Sequence, residues 1–346
     1  MSRKSNGMRI GILTAGGDCP GINAAIRGVG KTAIFKYGMK LYGISDGFSG
    51  MITKEYTELS EKDLSGILTL GGTILGTSRE KPFKPADKNN KELKKPALIK
   101  EHYEQMGLDC LVCIGGNGTQ KTASLLAREG LNVVGIPKTI DNDVWGTDIT
   151  FGFDSAVHIA TEAIDRLHST ANSHKRIMII EVMGHHAGWI ALYSGIAGGG
   201  DVILIPEIPY QENRIAEYLL QRAENNKAYS IVVMAEGVKN PEKGISAAQY
   251  LSRRITELTG LETRETVLGY VQRGGNPSHY DRVLATRYGT EAADMIARRD
   301  FGKMVALRKN DIVPIPLDDV AGKLKLIEPG NSLVQLTKNM GTSFGE

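Results

Sequence analysis

Residues 131–143 read LNVVGIPKTIDND, an apolar run from Leu131 to Ile136 followed by a turn rich in polar groups. An apolar run of this length, bounded by turn residues, predicts a buried strand of a parallel sheet. The polar turn then lies at the carboxyl end of that strand, where open α/β sheets bind their ligands. The stretch therefore predicts an α/β fold and places a candidate functional site at one strand end.

The polar turn at residues 137–143 carries groups that suit phosphoryl transfer. Asp141 or Asp143 can accept a proton from a hydroxyl group, while Thr139 holds the acceptor oxygen. Lys138 can neutralise the charge of a transferring phosphate. The alternative is a loop that only caps the next helix with Asp143, but a cap requires one such residue and not five.

Length and composition predict a globular protein of two domains. A chain of 346 residues is too long for one ordinary core, and 41% hydrophobic with 23% charged residues is typical of soluble proteins. The net charge of +3 is small and the basic residues are dispersed, which argues against nucleic-acid binding. No window reaches the length of a membrane span, and residues 1–7 carry no secretory apolar segment, so a cytoplasmic protein without membrane contact is expected.

Two stretches resemble functional signals but are interpreted structurally. Cys110 and Cys113 form a C-x-x-C spacing, yet they lie within an apolar strand pattern that lacks the flanking turns of a redox or zinc site. They are predicted to be small buried residues. The densest basic stretch, residues 81–100, contains three prolines and predicts an exposed loop, for which a solvated surface is preferred over a phosphate-attracting lid.

Strand and helix patterns alternate along the chain and predict a parallel sheet covered by helices on both faces. Glycine, at 41 residues, is enriched and clusters at the strand-to-helix junctions. These junctions form two series, at residues 16–18, 71–73 and 115–119 in the first half, and at residues 183–185, 206–207 and 235–237 in the second. Two Rossmann-like, three-layer α/β/α domains with a cleft between them are therefore predicted, with the chain crossing between domains more than once.

Turns of the first series suit the phosphates of a donor. Residues 115–119 read GGNGT, whose glycines let the backbone approach a phosphate while Thr119 adds a hydroxyl group. Asn117 occupies a position at which a metal-binding carboxylate would be useful. Arg79 follows a third glycine-containing loop, and its guanidinium group can bridge the oxygens of a transferring phosphoryl group.

Basic and polar residues of the second half suit a phosphorylated substrate. Arginine pairs with phosphate in a bidentate way, and Arg176, Arg264 and Arg273 all stand beside apolar, strand-like segments. Any one of them alone is better explained by a surface ion pair, but their convergence on turns of one kind favours phosphate binding. Glu236 can accept hydrogen bonds from sugar hydroxyls, and Tyr270 can donate one to a phosphate oxygen.

The adjacent histidines His185 and His186 are not predicted to bind a metal. Neighbouring residues of a strand point to opposite faces, and no third ligand follows at a suitable spacing. One ring is therefore expected to line the site and the other to pack against the protein.

These motifs together resemble the 6-phosphofructokinase family over essentially the whole chain. The matching segments, in the family's order, are residues 16–23, 115–119, 137–143, 183–188, 235–237 and 269–275. Residues 137–143 are similar to its P-[GK]-T-I-D-N-D catalytic turn and residues 115–119 to its GGDGS/T loop. The tail from about Val313 resembles the subgroup that contains both ATP- and pyrophosphate-using members.

The resemblance implies a phosphofructokinase-like fold and the phosphorylation of fructose 6-phosphate at its 1-hydroxyl by ATP and Mg²⁺. Asp141 would be the general base, Thr139 would position the hydroxyl, and Arg79 would meet the charge of the transition state. Asp143 and Asn117 would hold the metal. The residues implied to bind the donor are Gly17, Arg79, Glu80, Gly115, Gly116, Asn117, Gly118, Thr119 and Lys138. The residues implied to bind the sugar phosphate are Thr139, Asp141, Arg176 (from a neighbouring subunit), Met183, Gly184, His185, Glu236, Arg264, Tyr270 and Arg273.

The resemblance also implies which residues form each of two domains and which substrate each domain binds. A donor domain is expected from residues 1–152 plus about 272–322, and a sugar-phosphate domain from about 153–271 plus 323–346. Fructose 6-phosphate, ATP and ADP are the expected small-molecule partners. The protein is expected to assemble as a homodimer or homotetramer.

Three positions depart from the family's usual pattern. The metal aspartate is replaced by Asn117, whose neutral amide can still coordinate magnesium but contributes no charge. His185 stands where an arginine is common, and Tyr270 replaces the usual sugar-phosphate histidine. None of these three changes is by itself a reason to expect that the reaction is lost.

The prediction of the phosphoryl donor depends on positions 118 and 138. Pyrophosphate users of the family typically carry an aspartate at position 118, which blocks the α-phosphate of ATP, and a lysine at position 138. Here Gly118 leaves room for a nucleotide, whereas Lys138 is shared with some ATP users. ATP is therefore the predicted donor and pyrophosphate the alternative.

Two further functions are weighed against this one. A lipid or dinucleotide kinase also uses a GGDGT-type loop, but it lacks the turn at residues 139–143 and the segment at residues 272–275. A catalytically inactive sugar-phosphate sensor is suggested by Asn117, while the intact Asp141 and Arg79 argue against it.

Overall fold

A computed structural model describes residues 7–84 and 95–346 of the chain. Residues 1–6 and 85–94 lie outside the described residues, and with them most of the N-terminal segment and the middle of the basic stretch. Within the described ranges, no helix is both long enough and apolar enough to cross a membrane.

The described residues form two β-sheets. The strands, numbered along the chain, are β1 (Arg9–Ala15), β2 (Lys40–Ile44), β3 (Tyr56–Leu59), β4 (Cys110–Gly115), β5 (Val133–Pro137), β6 (Ile177–Val182), β7 (Val202–Leu204), β8 (Ser230–Ala235), β9 (Thr263–Val267), β10 (Lys303–Arg308) and β11 (Asp311–Pro316). One sheet has seven strands in the order β11-β10-β5-β4-β1-β2-β3, and the other has four in the order β7-β8-β6-β9.

Helices alternate with these strands, as the sequence pattern predicts. The α-helices are α1 (Ile22–Lys31), α2 (Phe48–Thr53), α3 (Lys95–Gln105), α4 (Asn117–Arg128), α5 (Phe153–His174), α6 (Trp189–Ala197), α7 (Glu212–Glu224), α8 (Ala247–Thr259), α9 (His279–Ala297), α10 (Leu317–Val320) and α11 (Ser332–Asn339). A π-helical turn at Thr32–Lys36 extends α1, and 3₁₀ turns cover Ile67–Thr69 and Gly269–Arg273.

The prediction of an exposed loop at residues 81–100 is wrong for the last residues of this stretch. Helix α3 begins at Lys95, so the basic residues at the end of this stretch are helical. Pro96 does not prevent this, because proline is tolerated in the first turn of a helix, where its missing N–H would have no partner.

The chain divides into two compact units. Unit 1 comprises Met1–Thr139, of which residues 7–84 and 95–139 are described, together with Val144–Gly152 and Arg273–Leu324. Unit 2 comprises Ile140–Asp143, Phe153–Gln272 and Lys325–Glu346. The chain therefore passes repeatedly between the units, and the polar turn at residues 137–143 belongs to both.

The sheet of unit 1 is parallel at its centre and antiparallel at its edges. β10, β5, β4, β1 and β2 are parallel neighbours, whereas β3 and β11 pair antiparallel with β2 and β10. The predicted parallel sheet is correct for the central strands. The sequence did not reveal the two edge strands. β3 is largely exposed and lacks an apolar run, whereas β11 contains two prolines, which argue against a strand in a sequence pattern.

The sheet of unit 2 is parallel throughout. Its central strands β6 and β8 are buried along their whole length, which accounts for their continuous apolar sequences. Helix α5 packs with α6 and helix α7 with α8, and both pairs contribute contacts to this sheet.

Helices α1 and α9 of unit 1 approach each other closely at a pair of glycines. A Cβ atom on Gly289 would lie 2.5 Å from the Ala25 carbonyl oxygen and 2.7 Å from the Val29 nitrogen. A Cβ atom on Gly28 would lie 2.8 Å from the Thr286 carbonyl oxygen. Because α1 begins directly after the turn that follows β1, this contact also fixes the position of that turn.

Replacement of Gly289 by alanine is expected to destabilise the protein, because the added methyl group meets backbone atoms of α1. Overpacking of this kind costs about 1–3 kcal/mol, which urea or thermal unfolding can measure. Gly118→Ala is the control, since Gly118 also lies in a helix but has no described atom within 4 Å of its ideal Cβ position. Equal unfolding midpoints for the two variants would contradict the close helix contact.

Candidate active site

Three neighbouring parallel strands of unit 1 end at the same edge of its sheet. β1 ends at Ala15, β4 at Gly115 and β5 at Pro137, and Gly115 pairs with both of the other two residues. The glycine-rich turns after β1 and β4 and the polar turn after β5 therefore lie side by side. The structure thus brings Gly17, residues 115–119 and Lys138 together.

Hydrogen bonds hold these turns to one another. The backbone N–H of Lys138 donates to the Gly115 carbonyl at 3.1 Å, and its ammonium group donates to the Gly17 carbonyl. Thr119 Oγ1 donates to the Ala15 carbonyl at 3.4 Å. Lys138 is only 3% exposed, so a buried positive charge stands at this edge. Such a charge interacts more strongly with an anion than an exposed one does.

The start of helix α4 provides further groups that suit an anion. The N-cap residue is Gly116, which has no side chain to cap the helix, and the first backbone N–H groups of an α-helix have no intrahelical partner. Gly115 must be glycine, because a Cβ atom there would lie 2.2 Å from Thr119 Oγ1. Gly118, in contrast, is exposed, and within the described part of the chain its ideal Cβ position has nothing within 4 Å.

Sequence reasoning missed Gln120, which braces the same edge. Its side chain is fully buried, and its Nε2 donates to the Gly115 carbonyl at 2.8 Å and to the Ile136 carbonyl at 2.9 Å. These carbonyls lie at the ends of β4 and β5. No sequence signal could have identified Gln120, because a single polar residue after the GGNGT motif is ordinary in the first turn of a helix.

Three other predicted residues belong to unit 1, and two of them, Arg79 and Arg273, lie beside the turn that follows β1. The Ser78 carbonyl accepts a hydrogen bond from Gly16 N at 2.9 Å, which places Arg79 next to this turn with an exposed side chain. Glu80 is paired with Lys95 at 2.9 Å. Arg273 Nη1 donates to the Asp18 carbonyl at 3.1 Å, so Arg273 lies with the turns of unit 1 and not with the other arginines of the second half.

The described cysteines are buried thiols. Cys19 Sγ lies 3.7 Å from the Phe151 carbonyl oxygen, and burial raises the pKa of its thiol to about 12. Burial likewise raises the pKa of Cys110 and Cys113, which lie inside β4. The interpretation of their C-x-x-C spacing as small buried residues is confirmed.

In unit 2, the turns after β6 and β8 form a second group. The backbone N–H of His185 donates to Glu236 Oε1 at 2.9 Å, and the backbone N–H of Met183 donates to Gln272 Oε1 at 3.3 Å. Gln272 is buried and also donates to the Gly269 carbonyl at 3.2 Å. The structure thus brings Met183, Gly184, His185 and Glu236 together, whereas Tyr270 is 75% exposed.

The expected arrangement of His185 and His186 is wrong. Both side chains are exposed, and their rings stack with centroids 3.8 Å apart. His185 has a φ of 52°, so the pair lies in a turn and not on a strand. The alternation of side chains along a strand therefore does not apply to it.

Residues 140–143 are the part of the polar turn that belongs to unit 2. Asp141 and Asp143 are 8% and 6% exposed, and Asn142 between them adopts a left-handed backbone with a φ of 52°. Lys325 Nζ donates to Asn142 Oδ1 at 2.7 Å, and the backbone N–H of Lys325 donates to the Asp143 carbonyl at 2.9 Å. Two buried carboxylates are thus held in a turn that the tail of the chain contacts.

Two predicted arginines lie away from this group. Arg176 precedes β6 and Arg264 is the second residue of β9, whereas Met183 follows the carboxyl end of β6. At about 3.3 Å per residue, the amino end of β6 is about 20 Å from Met183. Both guanidinium groups pair with Glu262, at 2.8 and 2.6 Å. The expectation that the arginines converge on turns of one kind is therefore wrong.

The predicted metal ligands are divided between the units, with Asn117 in unit 1 and Asp143 in unit 2. Nowhere in residues 7–84 or 95–346 do three or more His, Cys, Asp and Glu side chains gather closely enough to hold a metal ion.

Comparison with known proteins adds a family match. The sequence model of the family described as "Phosphofructokinase" matches residues 9–296. The chain is 61% identical over 338 residues to the ATP-dependent 6-phosphofructokinase 3 of Bacteroides thetaiotaomicron, which covers 98% of this chain and 100% of that relative. It is 47% identical over 340 residues to the pyrophosphate–fructose 6-phosphate 1-phosphotransferase of Amycolatopsis methanolica, covering 93% of this chain and 97% of that one.

A solved structure supports the fold. The structure of Pichia pastoris phosphofructokinase in the T-state matches with a TM-score of 0.82 and 35% sequence identity. The match covers 90% of this chain and 35% of that one, so this chain spans about a third of the Pichia protein's length. The predicted α/β class with two Rossmann-like units is confirmed.

Native protein at about pH 8 is expected to leave Cys19, Cys110 and Cys113 unmodified by iodoacetamide, because their thiols are buried and their raised pKa values make the reactive thiolate scarce. All three should react once the protein is unfolded in urea. Mass spectrometry of the two samples measures this. Labelling of any of the three in native protein, at the rate seen in urea, would contradict the burial described.

Proposed function

The chain belongs to the phosphofructokinase family, and from that premise we propose that it transfers the terminal phosphoryl group of ATP to the 1-hydroxyl of fructose 6-phosphate. The product is fructose 1,6-bisphosphate, and the reaction is a step of glycolysis. The observation that carries the proposal is the turn at residues 137–143, in which two buried carboxylates and a buried ammonium group follow the end of β5.

The donor phosphates are assigned to unit 1. Residues 115–119 and the backbone N–H groups at the start of α4 would hold two of the phosphate groups, as helix amino ends do elsewhere. Lys138 would contribute its buried charge, and Gly17 allows close approach of the backbone. Arg79 is exposed and so can move onto the transferring phosphoryl group, where its guanidinium would offset charge in the transition state.

The acceptor is assigned to the polar turn that follows β5 and to residues that follow strand ends of unit 2. Asp141 would take the proton of the 1-hydroxyl as that oxygen attacks, and Thr139 would hold the hydroxyl in place. Met183, Gly184, His185 and Glu236 would bind the sugar, which is supported by their common position after β6 and β8.

Mg²⁺ fits this donor set as a metal carried by the nucleotide. Magnesium commonly keeps several waters and phosphate oxygens and takes only one or two protein ligands. Asn117 and Asp143, the two expected ligands, would offer an amide oxygen and a carboxylate to such a metal. The metal would neutralise phosphate charge and polarise the phosphoryl group.

Arg176 is proposed to reach the sugar phosphate of a neighbouring subunit. This is supported by its position at the amino end of β6, far from Met183 of its own chain. Arg264 shares Glu262 with Arg176, so the same proposal extends to it. It requires a homodimer or homotetramer, and we place the enzyme in the cytoplasm with its substrates.

Replacement of Asp141 by asparagine is expected to lower kcat by about 10²- to 10⁴-fold, because the amide cannot accept the proton of the hydroxyl group. A coupled assay of fructose 1,6-bisphosphate formation measures it, beside thermal unfolding to verify the fold. Asp165→Asn, at an exposed position of α5, is the matched control and should retain the rate of the wild type. Equal rates for the wild type and the Asp141 variant would refute the assignment of the base.

The wild type is expected to turn over with ATP, and Gly118→Asp should lower kcat/KM for ATP at least tenfold without destabilising the protein. The exposed site has room for the new side chain, whose charge would repel the α-phosphate of a nucleotide. Initial rates with ATP and with pyrophosphate measure donor choice for both proteins, and Gly118→Asn controls for size without charge. Turnover of the wild type with pyrophosphate alone would overturn the proposed donor. No turnover with either donor would favour the alternative of a catalytically inactive sugar-phosphate sensor.

A further inference from the structure

We infer that Lys325 is a positioning residue of the reaction, which holds the turn of Asp141, Asn142 and Asp143 in its catalytic conformation. This inference rests on the proposed function, because it takes Asp141 as the general base. Lys325 belongs to none of the motifs that suggest the activity, and it lies 183 residues from Asn142 in sequence. Only the folded structure brings the two together.

Lys325 contacts two consecutive residues of the turn. Its Nζ donates to Asn142 Oδ1 at 2.7 Å, and its backbone N–H donates to the Asp143 carbonyl at 2.9 Å. One contact fixes a side chain and the other fixes the backbone. Together they define both the place and the orientation of this short segment within unit 2.

Asn142 is the residue of the turn that most needs such support. Its φ of 52° is left-handed, a conformation that costs free energy for every residue except glycine, although asparagine tolerates it better than most. Its amide is also buried, at 3% exposure, where polar atoms require partners. A conformation of this kind persists only where the surrounding structure enforces it. If Asn142 relaxes, the two flanking carboxylates move with it.

Lys325 is itself held by the start of helix α6. Trp189 Nε1 donates to the Lys325 carbonyl at 2.9 Å, and the Lys325 ammonium lies 5.5 Å from the centroid of the Trp189 ring. Two residues further on, Ile327 N donates to Glu207 Oε1 at 3.1 Å. Glu207 also accepts a hydrogen bond from Gly188, the residue before α6, at 3.0 Å. Hydrogen bonds therefore connect the segment at residues 325–327 both to the start of α6 and to the turn at residues 141–143.

A positioning role predicts a distinct kinetic signature. If Lys325 only orients the turn, its loss misplaces the base and lowers kcat, while both substrates bind as before. Misplacement of a reacting group by about 1 Å can cost about 100-fold in rate. A lysine that contacts the phosphate of the substrate would instead raise KM for fructose 6-phosphate when it is removed.

The test compares Lys325→Met, Lys325→Arg, Asn142→Gly and the double variant Lys325→Met/Asn142→Gly with the wild type. Methionine keeps the apolar stem and removes the donor, whereas arginine keeps the charge and the donor. We expect Lys325→Met to lower kcat by about 10- to 100-fold with both KM values within about twofold, and Lys325→Arg to recover part of kcat. The double variant should be no slower than the slower single variant, because both changes remove the same interaction. Lys323→Met, at an exposed lysine nearby, should keep the rate of the wild type.

Three outcomes would overturn the inference: an unchanged kcat in Lys325→Met, a raised KM for fructose 6-phosphate with kcat unchanged, or fully additive effects in the double variant. Trp189→Phe removes the N–H that binds the Lys325 carbonyl and keeps an aromatic ring. It serves as the second variant if Lys325→Met fails to fold, with the same loss of kcat expected at unchanged KM.

A measurement without substrate separates this inference from the proposed function. If the wild type itself shows no turnover, the proposed function fails, and hydrogen exchange then tests the support of the turn directly. Peptides that cover residues 140–144 should exchange faster in Lys325→Met than in Lys323→Met. Equal exchange in the two variants would overturn the role of Lys325 whatever the enzyme does.

Discussion

The parallel pairing of β4 with β1 and β5 is the interaction on which the site of unit 1 depends. Parallel strands direct all their carboxyl ends to one edge, so three turns that are distant in sequence become neighbours, and hydrogen bonds between the turns then hold them together. The pairing of Gly115 with both Ala15 and Pro137 sets the register of that edge. At the same edge, the buried Gln120 donates to the carbonyls of Gly115 and Ile136, and the backbone N–H of Lys138 also donates to the Gly115 carbonyl.

The polar turn at residues 137–143 can be buried because each of its halves has partners of its own. A buried charge or amide without partners costs several kcal/mol, which is comparable with the whole stability of a domain. In unit 1, Lys138 is bound by the carbonyls of the neighbouring turns, and Thr150 Oγ1 donates to the Thr139 carbonyl at 2.8 Å. In unit 2, the tail supplies Lys325. Since the two halves depend on different units, a change far from the turn in sequence can alter its geometry.

The sequence predicted those features that have a local physical cause. Buried strands such as β5 and β6 carry apolar runs, and the glycine-rich turns mark close approach of the backbone, so the fold class and the turns of the site were both recognisable. The edge strand β3, the start of α3 and the stacked histidines could not be predicted, because exposure and turn geometry decide them. Gln120 and Lys325 gave no signal at all, since each acts through contacts with residues that only the fold brings near.

The structure changes what Lys138 indicates about the phosphoryl donor. Read as a motif residue, it favours pyrophosphate as the donor, against Gly118, which favours ATP. Its ammonium group, however, is buried and bound to the Gly17 carbonyl, so it also stabilises the arrangement of the turns in unit 1. A residue with that structural task would be retained whichever donor binds, and its presence does not discriminate between them. Gly118 is exposed, and no described atom lies within 4 Å of its ideal Cβ position, so the residue at position 118 is the better indicator of the donor.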